Sequence, residues 1–311
     1  MIALALSVGT ANAVTPRSRT SIGNETAARF FSERSATYQI GDEWGKLPVT
    51  DAVLASETPQ FVRAARATAR AGGGTSFYLG KFAGAHVMAT NHHVFPAAYA
   101  CLGRSIVFPH LGGRSFKCAT FLGTWQEIDL SLFTLEVNRV EDESVLASVA
   151  GNFAFDRDLE PNQSLMTIGF GVANNSSRQM MANQDDDCRV FSGYADYRLM
   201  ADPDELNPGT YSAWSFSNGC DVSHGDSGSA MIDRQTGEVV GIIWTGRIPK
   251  QASTQRSDVI ADWMRTGSEM IWKELSYAVP SVKIGEILEQ MASNPSTAPR
   301  TREILRALLV D

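Results

Sequence analysis

The chain predicts an all-β protein with a helical tail, and three observations carry that reading. From about Phe61 onward, short runs of β-branched and aromatic residues alternate with Gly, Asn and Asp turns, the pattern of a sandwich or barrel. After Thr254 the texture changes, and apolar residues recur at the spacing of one helix face. The 311 residues are 43% hydrophobic, enough to fill two packed halves.

Taken in order, the first segment is MIALALSVGTANA, an apolar run closed by Ala11, Asn12 and Ala13. That small-x-small ending marks a signal-peptidase site, so residues 1–13 are expected to be a signal peptide, although a basic n-region is missing. The run is too short to span a membrane, and no stable membrane insertion is expected. The protein is therefore expected to be secreted or periplasmic. Residues 14–58 are polar and mixed, with one helix expected near 25–33, and read either as a propeptide or as a belt packed on the rest.

The main domain is expected over 59–280, with a first half at about 60–149 and a second at about 163–254. Within the first half, TSFYLGKFAGAHVMA reads as two strands and a turn, leading into TNHHVF. Further on, EIDLSLFTL is an apolar strand with one acid, Asp129, inside it. Such an acid is costly to bury without partners. The acidic run at 185–187 reads as a solvated loop. In the tail, 281–311, Ile284, Ile287, Leu288 and Met291 form one apolar stripe, and Ile304, Leu305, Leu308 and Leu309 a second. Both are expected to pack on the main domain; a partner-binding role for the second helix is the sharper alternative.

Bulk charge excludes one class. The net charge is −7 and the Lys and Arg residues are scattered, so no nucleic-acid footprint is expected. The four cysteines form no C-x-x-C and none sits with histidine at zinc spacing, so neither a metal nor a cofactor is expected.

The chemistry concentrates in GDSGS at 225–229. A serine hydroxyl, Ser227, stands between two glycines and follows an acid, Asp226. Serine is a poor nucleophile unless a base takes its proton and donors receive the resulting oxyanion. Gly225 can adopt backbone angles closed to other residues, so its N–H and that of Ser227 could point into one small hole. A base must be one of five histidines, and two of these lie in TNHHVF. Asp129 would orient and charge-balance that base.

Together these motifs resemble the chymotrypsin-like serine peptidases. TNHHV resembles that family's T-N-x-H-V segment and implies that His93, not His92, is the base. DLSLFTL resembles D-I-A-L-L and implies Asp129 as the orienting acid, and GDSGS resembles G-D-S-G-G with Ser227 as nucleophile. MTIGFG at 166–171 is similar to the strand that opens the family's second barrel. VVGIIWTG at 239–246 is similar to the strand whose edge binds substrate backbone, here at Thr245 and Gly246. CDVSHGDSGSAMID looks closest to the extracellular bacterial, glutamyl-endopeptidase-like branch. The order His93, Asp129, Ser227 matches the family, whereas an α/β-hydrolase would run Ser, Asp, His and a subtilisin would begin with Asp.

The resemblance implies two six-stranded antiparallel β-barrels with C-terminal helices, and an active site in the crevice between them. It implies a serine endopeptidase, a monomer, acting on protein or peptide substrates through an acyl-enzyme; the even cysteine count suggests two bridges, and of the three possible pairings Cys101–Cys118 with Cys188–Cys220 is the one expected. Asp221, six residues before Ser227, sits in the register of the trypsin acid that selects basic side chains, with a turn-capping structural role as the alternative. His224 is expected at the pocket rim. One departure is pointed: no activation site precedes the barrel to supply the free amine that pairs with Asp226 in trypsin-like zymogens, so Asp226 must find another partner or face solvent. An inactive peptidase-fold binding protein is the alternative function; it is disfavoured by the intact His93, Asp129, Ser227 and Gly225.

Overall fold

The computed structural model describes residues 36–173, 178–192 and 196–310. The expected signal peptide and the helix near 25–33 lie outside these residues. What is described is mostly β, with seven α-helices.

The chain enters through β1 (Lys46–Pro48), then α1 (Asp51–Ser56) and α2 (Pro59–Ala67). Helix α2 occupies the stretch around Phe61 where strand runs were expected to begin, and its local capping accounts for it. Thr58 accepts a hydrogen bond from Phe61 N, Pro59 occupies the first turn, and Phe61 and Ala65 point inward.

Six strands then close a barrel: β2 (Thr68–Ala71), β3 (Gly74–Phe82), β4 (Ala85–Thr90), β5 (Ser105–Phe108), β6 (Arg114–Trp125) and β7 (Leu130–Glu136), in the order β2-β3-β4-β7-β6-β5. The expected hairpin is β3–β4. It turns on Ala83 and Gly84, both at positive φ, the backbone a two-residue hairpin requires. Short pairings of Arg70 with Val107 and of Ala71 with Ile106 seal the barrel. Its interior is filled by Tyr78, Met88, Ile106, Phe108, Phe116, Phe133 and Leu135. Between β4 and β5 lies the short α3 (Ala98–Cys101), whose Cys101 is bonded to Cys118 of β6.

After α4 (Val140–Ala147) the second lobe begins. It contains β8 (Leu165–Gly169), β9 (Met181–Asn183), β10 (Arg198–Ala201), β11 (Ser212–Asn218), β12 (Ala230–Asp233), β13 (Val239–Gly246) and β14 (Ser276–Pro280). The expected second six-stranded barrel is not what these strands make. They form an eight-stranded sheet, β1-β9-β8-β12-β13-β14-β11-β10, with no closing ladder among the described residues. Two of its members come from outside the expected span 163–254: β1 extends one edge, and β14 inserts between β13 and β11. Among the described residues, Arg189 and Val190 bridge Ser164 beside β8 to Asn218 of β11 and so curl the sheet toward closure. The Cys188–Cys220 disulfide holds that curl.

Helix α5 (Ser257–Thr266) precedes β14, and the tail forms α6 (Ser281–Ser293) and α7 (Pro299–Val310). Ile284, Ile287 and Leu288 of α6 and Ile304, Leu305 and Leu308 of α7 are buried in one core with Phe82, Val87, Ile168, Ile232 and Val279. That core lies between the outside of the barrel and the second sheet, so the tail cements the two lobes. No helix among the described residues is long and apolar enough to cross a membrane.

Candidate active site

The site is built where the end of β4, the start of β7 and the loop before β12 converge. Beyond Thr90, Asn91 is fully buried and its Nδ2 donates to the Asp129 carbonyl at 2.9 Å. The His92 N–H donates to the same carbonyl at 3.1 Å. These bonds lock the turn after β4 to the turn before β7.

Asp129 ends the 3-10 turn Gln126–Ile128 at a φ of 35°, a left-handed conformation that is rare away from glycine. Its buried carboxylate repays that strain with three contacts. Oδ1 accepts from His93 N at 3.2 Å and from the Tyr211 hydroxyl at 2.7 Å, and Oδ2 faces His93 Nδ1 at 2.9 Å. Each offsets part of the cost of burying the charge. Burial by itself lowers the His93 pKa, but the Asp129 charge and hydrogen bond outweigh it, and the net shift is upward.

His92 is turned elsewhere. Its Nδ1 lies 2.6 Å from Thr124 Oγ1, and its ring meets Tyr211 edge-on at 5.3 Å. The His93 ring, not that of His92, is the one on Asp129.

Ser227 comes from the second lobe but is clamped to the barrel. Thr75 of β3 donates from its N–H to the Ser227 carbonyl at 2.9 Å and from its hydroxyl to the Gly225 carbonyl at 2.8 Å. Gly225 has a φ of 96°, and a Cβ there would lie 2.5 Å from the Phe170 carbonyl oxygen, so no side chain is tolerated. The His224 carbonyl accepts from Val172 N at 2.8 Å. In a trans peptide the C=O and N–H point opposite ways. The Gly225 N–H is therefore turned from Val172 toward the crevice that Gly225, Ser227 and His93 line together.

An adjoining cavity of about 330 Å³ runs from His93 and Ser227 between residues 222–224 and 244–246. Strand β12 begins only at Ala230 and pairs with β13 no further than Ile242, which leaves the facing edge of Trp244, Thr245 and Gly246 without a strand partner. Thr245 and Gly246 thus line the cavity, as does His224, whose Nε2 donates to Asp204 Oδ2 at 2.7 Å. The Asp204 hydrogen bond, ahead of the opposing burial, raises the His224 pKa.

Asp221 is not in the cavity. It is fully buried in the loop between β11 and β12, accepting from Ile40 N and Gly45 N, each at 2.7 Å. Burial raises its pKa to about 8. The reading of Asp221 as a specificity acid is corrected: it fastens the N-terminal segment, and its carboxylate has no path to a substrate.

The acids that do line the cavity are Asp202 and Asp204, on the loop after β10. Asp202 accepts from the Thr245 hydroxyl, from Gly209 N at 2.9 Å and from Asp204 N at 3.0 Å. Neither these acids nor Tyr211 was found from sequence. The stretch ADPDELNPGTY carries acids and turn formers, but nothing local says which way the loop folds. No group of three or more His, Cys, Asp or Glu among the described residues could hold a metal ion.

The trypsin-like peptidase domain family matches residues 74–242, more than half of the chain and inclusive of His93, Asp129 and Ser227, and the protein belongs to that family. The match is to the family as a whole and does not single out the glutamyl-endopeptidase-like branch. Among solved structures, the chain is similar to Rv3671c from M. tuberculosis H37Rv in an inactive form, with a TM-score of 0.49, 14% identity, and coverage of 81% of this chain and 98% of that one. It is similar also to the active form of the Rv3671c protease from M. tuberculosis, with a TM-score of 0.47, 15% identity, and coverage of 81% and 90%. No curated protein sequence matches it.

Proposed function

We propose that this member of the trypsin-like peptidase family is a secreted or periplasmic serine endopeptidase that works through an acyl-enzyme. The observation that carries the reading is the Asp129–His93 contact at 2.9 Å on one wall of the crevice that Ser227 lines from the other lobe. With Nδ1 held by Asp129, His93 keeps Nε2 for the Ser227 proton. Oγ attacks the peptide carbonyl, Asp129 stabilises the imidazolium, and the N–H groups of Gly225 and Ser227 receive the oxyanion. His93 then protonates the leaving amine, and water releases the acyl group by the reverse sequence.

The substrate side chain enters the 330 Å³ cavity. His224 is spoken for by Asp204, whereas Asp202 has no cationic partner among the described residues and receives only a hydroxyl and two N–H groups. That leaves a net negative wall, which favours Arg or Lys at P1 and opposes Glu. The two disulfides suit an oxidising compartment.

Labelling by a fluorophosphonate tests the reading. The wild-type chain is expected to react at Ser227, Ser227→Ala not at all, and His93→Ala at least about 10³-fold more slowly. Undiminished labelling or hydrolysis in Ser227→Ala would sink it and leave a binding protein as the better account.

A further inference from the structure

Asp226, immediately before the nucleophile, is 1% exposed, and its Oδ2 carries the ammonium of Lys46, itself 1% exposed, 180 residues away in β1. The same carboxylate accepts from Gly171 N at 3.1 Å, from Ser223 N at 2.8 Å and from the Ser223 hydroxyl at 3.1 Å. It therefore draws together both sides of the turn that presents Gly225 and Ser227. A carboxylate so enclosed cannot remain charged without a counter-charge. Lys46 supplies it from inside the chain.

The lysine is delivered by a segment fastened at every step. Thr37 O accepts from Lys250 N at 2.8 Å, Gly41 N donates to Thr254 O at 2.7 Å, and Ile40 N and Gly45 N donate to Asp221. A Cβ on Gly45 would meet Asp185 Oδ2 at 1.7 Å and Asn183 Nδ2 at 2.4 Å, so a side chain there would have to displace both. Lys46 and Leu47 then pair with Asn183 and Ala182 of β9, and the strand's alternation buries Lys46 while Leu47 faces out. Asp221 and Asp226, the two acids on the nucleophile loop, are thus both held by residues 40–46.

We infer that Lys46 is a positioning residue that sets the Gly225–Ser227 oxyanion site by intramolecular charge pairing, so the enzyme is active without cleavage to free an N-terminal amine. Residues 36–50 are then an integral activating belt and not a removable propeptide. The inference rests on the acyl-enzyme reading, but the two fail separately.

The test measures fluorophosphonate labelling of the full chain alongside near-UV circular dichroism and thermal melting. Lys46→Met is expected to fold but to label at least about 10²-fold more slowly, because an unpaired Asp226 pulls out of the turn and takes the oxyanion donors with it. In Lys46→Ala, propylamine is expected to restore labelling and propanol is not, a distinction that a merely packing role would not produce. The uncut full chain is expected to label as fast as the chain after limited proteolysis. Should Lys46→Met fail to fold, Lys46→Met with Asp226→Asn, which leaves no buried charge, replaces it and is expected to label at least tenfold more slowly than wild type. A rate within about threefold of wild type in the folded variant, or labelling that appears only after a new N-terminus is freed, overturns the proposal. Labelling that survives in Ser227→Ala would instead overturn the function beneath it.

Discussion

The Tyr211 hydroxyl donates to Asp129 Oδ1 at 2.7 Å, on the carboxylate oxygen that the His93 ring does not use. The donor comes from the second lobe and the acceptor from the first. Burial first, and then the Asp129 charge, push the tyrosine pKa far up, so the hydroxyl stays a donor throughout the working range. This bond closes the acid end of the proposed triad across the lobe boundary. Tyr211→Phe is expected to lower kcat about tenfold, the worth of about 1.5 kcal/mol for a hydrogen bond to a charged group. Steady-state kinetics on a peptide amide check it; an unchanged kcat would mean that the bond does not serve the base.

The raised His93 pKa fixes the sign of the pH response. The base must be neutral to accept the Ser227 proton, so the acidic limb of kcat/KM is expected to turn above about 6.5, the ordinary histidine value. The same shift bears on stability in the opposite sense. A group whose folded pKa is raised contributes fully below its unfolded pKa, and the contribution fades as pH rises through the folded value. Melting of Ser227→Ala across pH 5 to 9 is expected to show that loss, and His93→Ala to flatten it.

Asp202 lines the cavity, and the proposed function gives it the deciding role in specificity. Hydrolysis after Arg or Lys is expected to exceed hydrolysis after Glu, and Asp202→Asn to cut the basic preference by about 10- to 100-fold in kcat/KM, as expected for a charged hydrogen bond of about 1.5–3 kcal/mol. A peptide-library cleavage profile reads both. A preference for Glu at P1 would place the chain with the glutamyl branch and reassign the pocket to His224.

The tail is expected to matter for stability first. Leu305 in α7 is fully buried in the core between the lobes. Leu305→Ala is expected to cost about 2–5 kcal/mol by urea unfolding. A change below about 0.5 kcal/mol would return α7 to the role of a detachable, partner-binding helix.

Much of this was legible because the signals are local. The β3–β4 hairpin declares itself through an apolar run broken by Ala83 and Gly84, and the α6 and α7 stripes through their 3.6-residue period. Ser227 stands out through its flanking glycines, and Asp129 as an acid directly before the apolar run that becomes β7. What failed was of another kind. The second barrel was expected from resemblance, yet β1 and β14 join that sheet from 117 residues before and 22 residues after the expected limits of 163 and 254.

Local residue type and spacing marked the candidate nucleophile, the candidate acid and a histidine pair for the base, together with the β-then-helix course of the chain, while the choice of His93 from that pair came from the resemblance to the peptidases. Tertiary structure alone decided which carboxylate meets which partner. Asp221, Asp226, Asp202 and Asp204 are chemically alike in sequence, but one caps an N-terminal segment, one binds a lysine 180 positions away, one receives Thr245, and one holds His224. The physical reason is that a carboxylate's role is set by burial and by the donors that reach it through space, and neither quantity is a property of neighbouring letters.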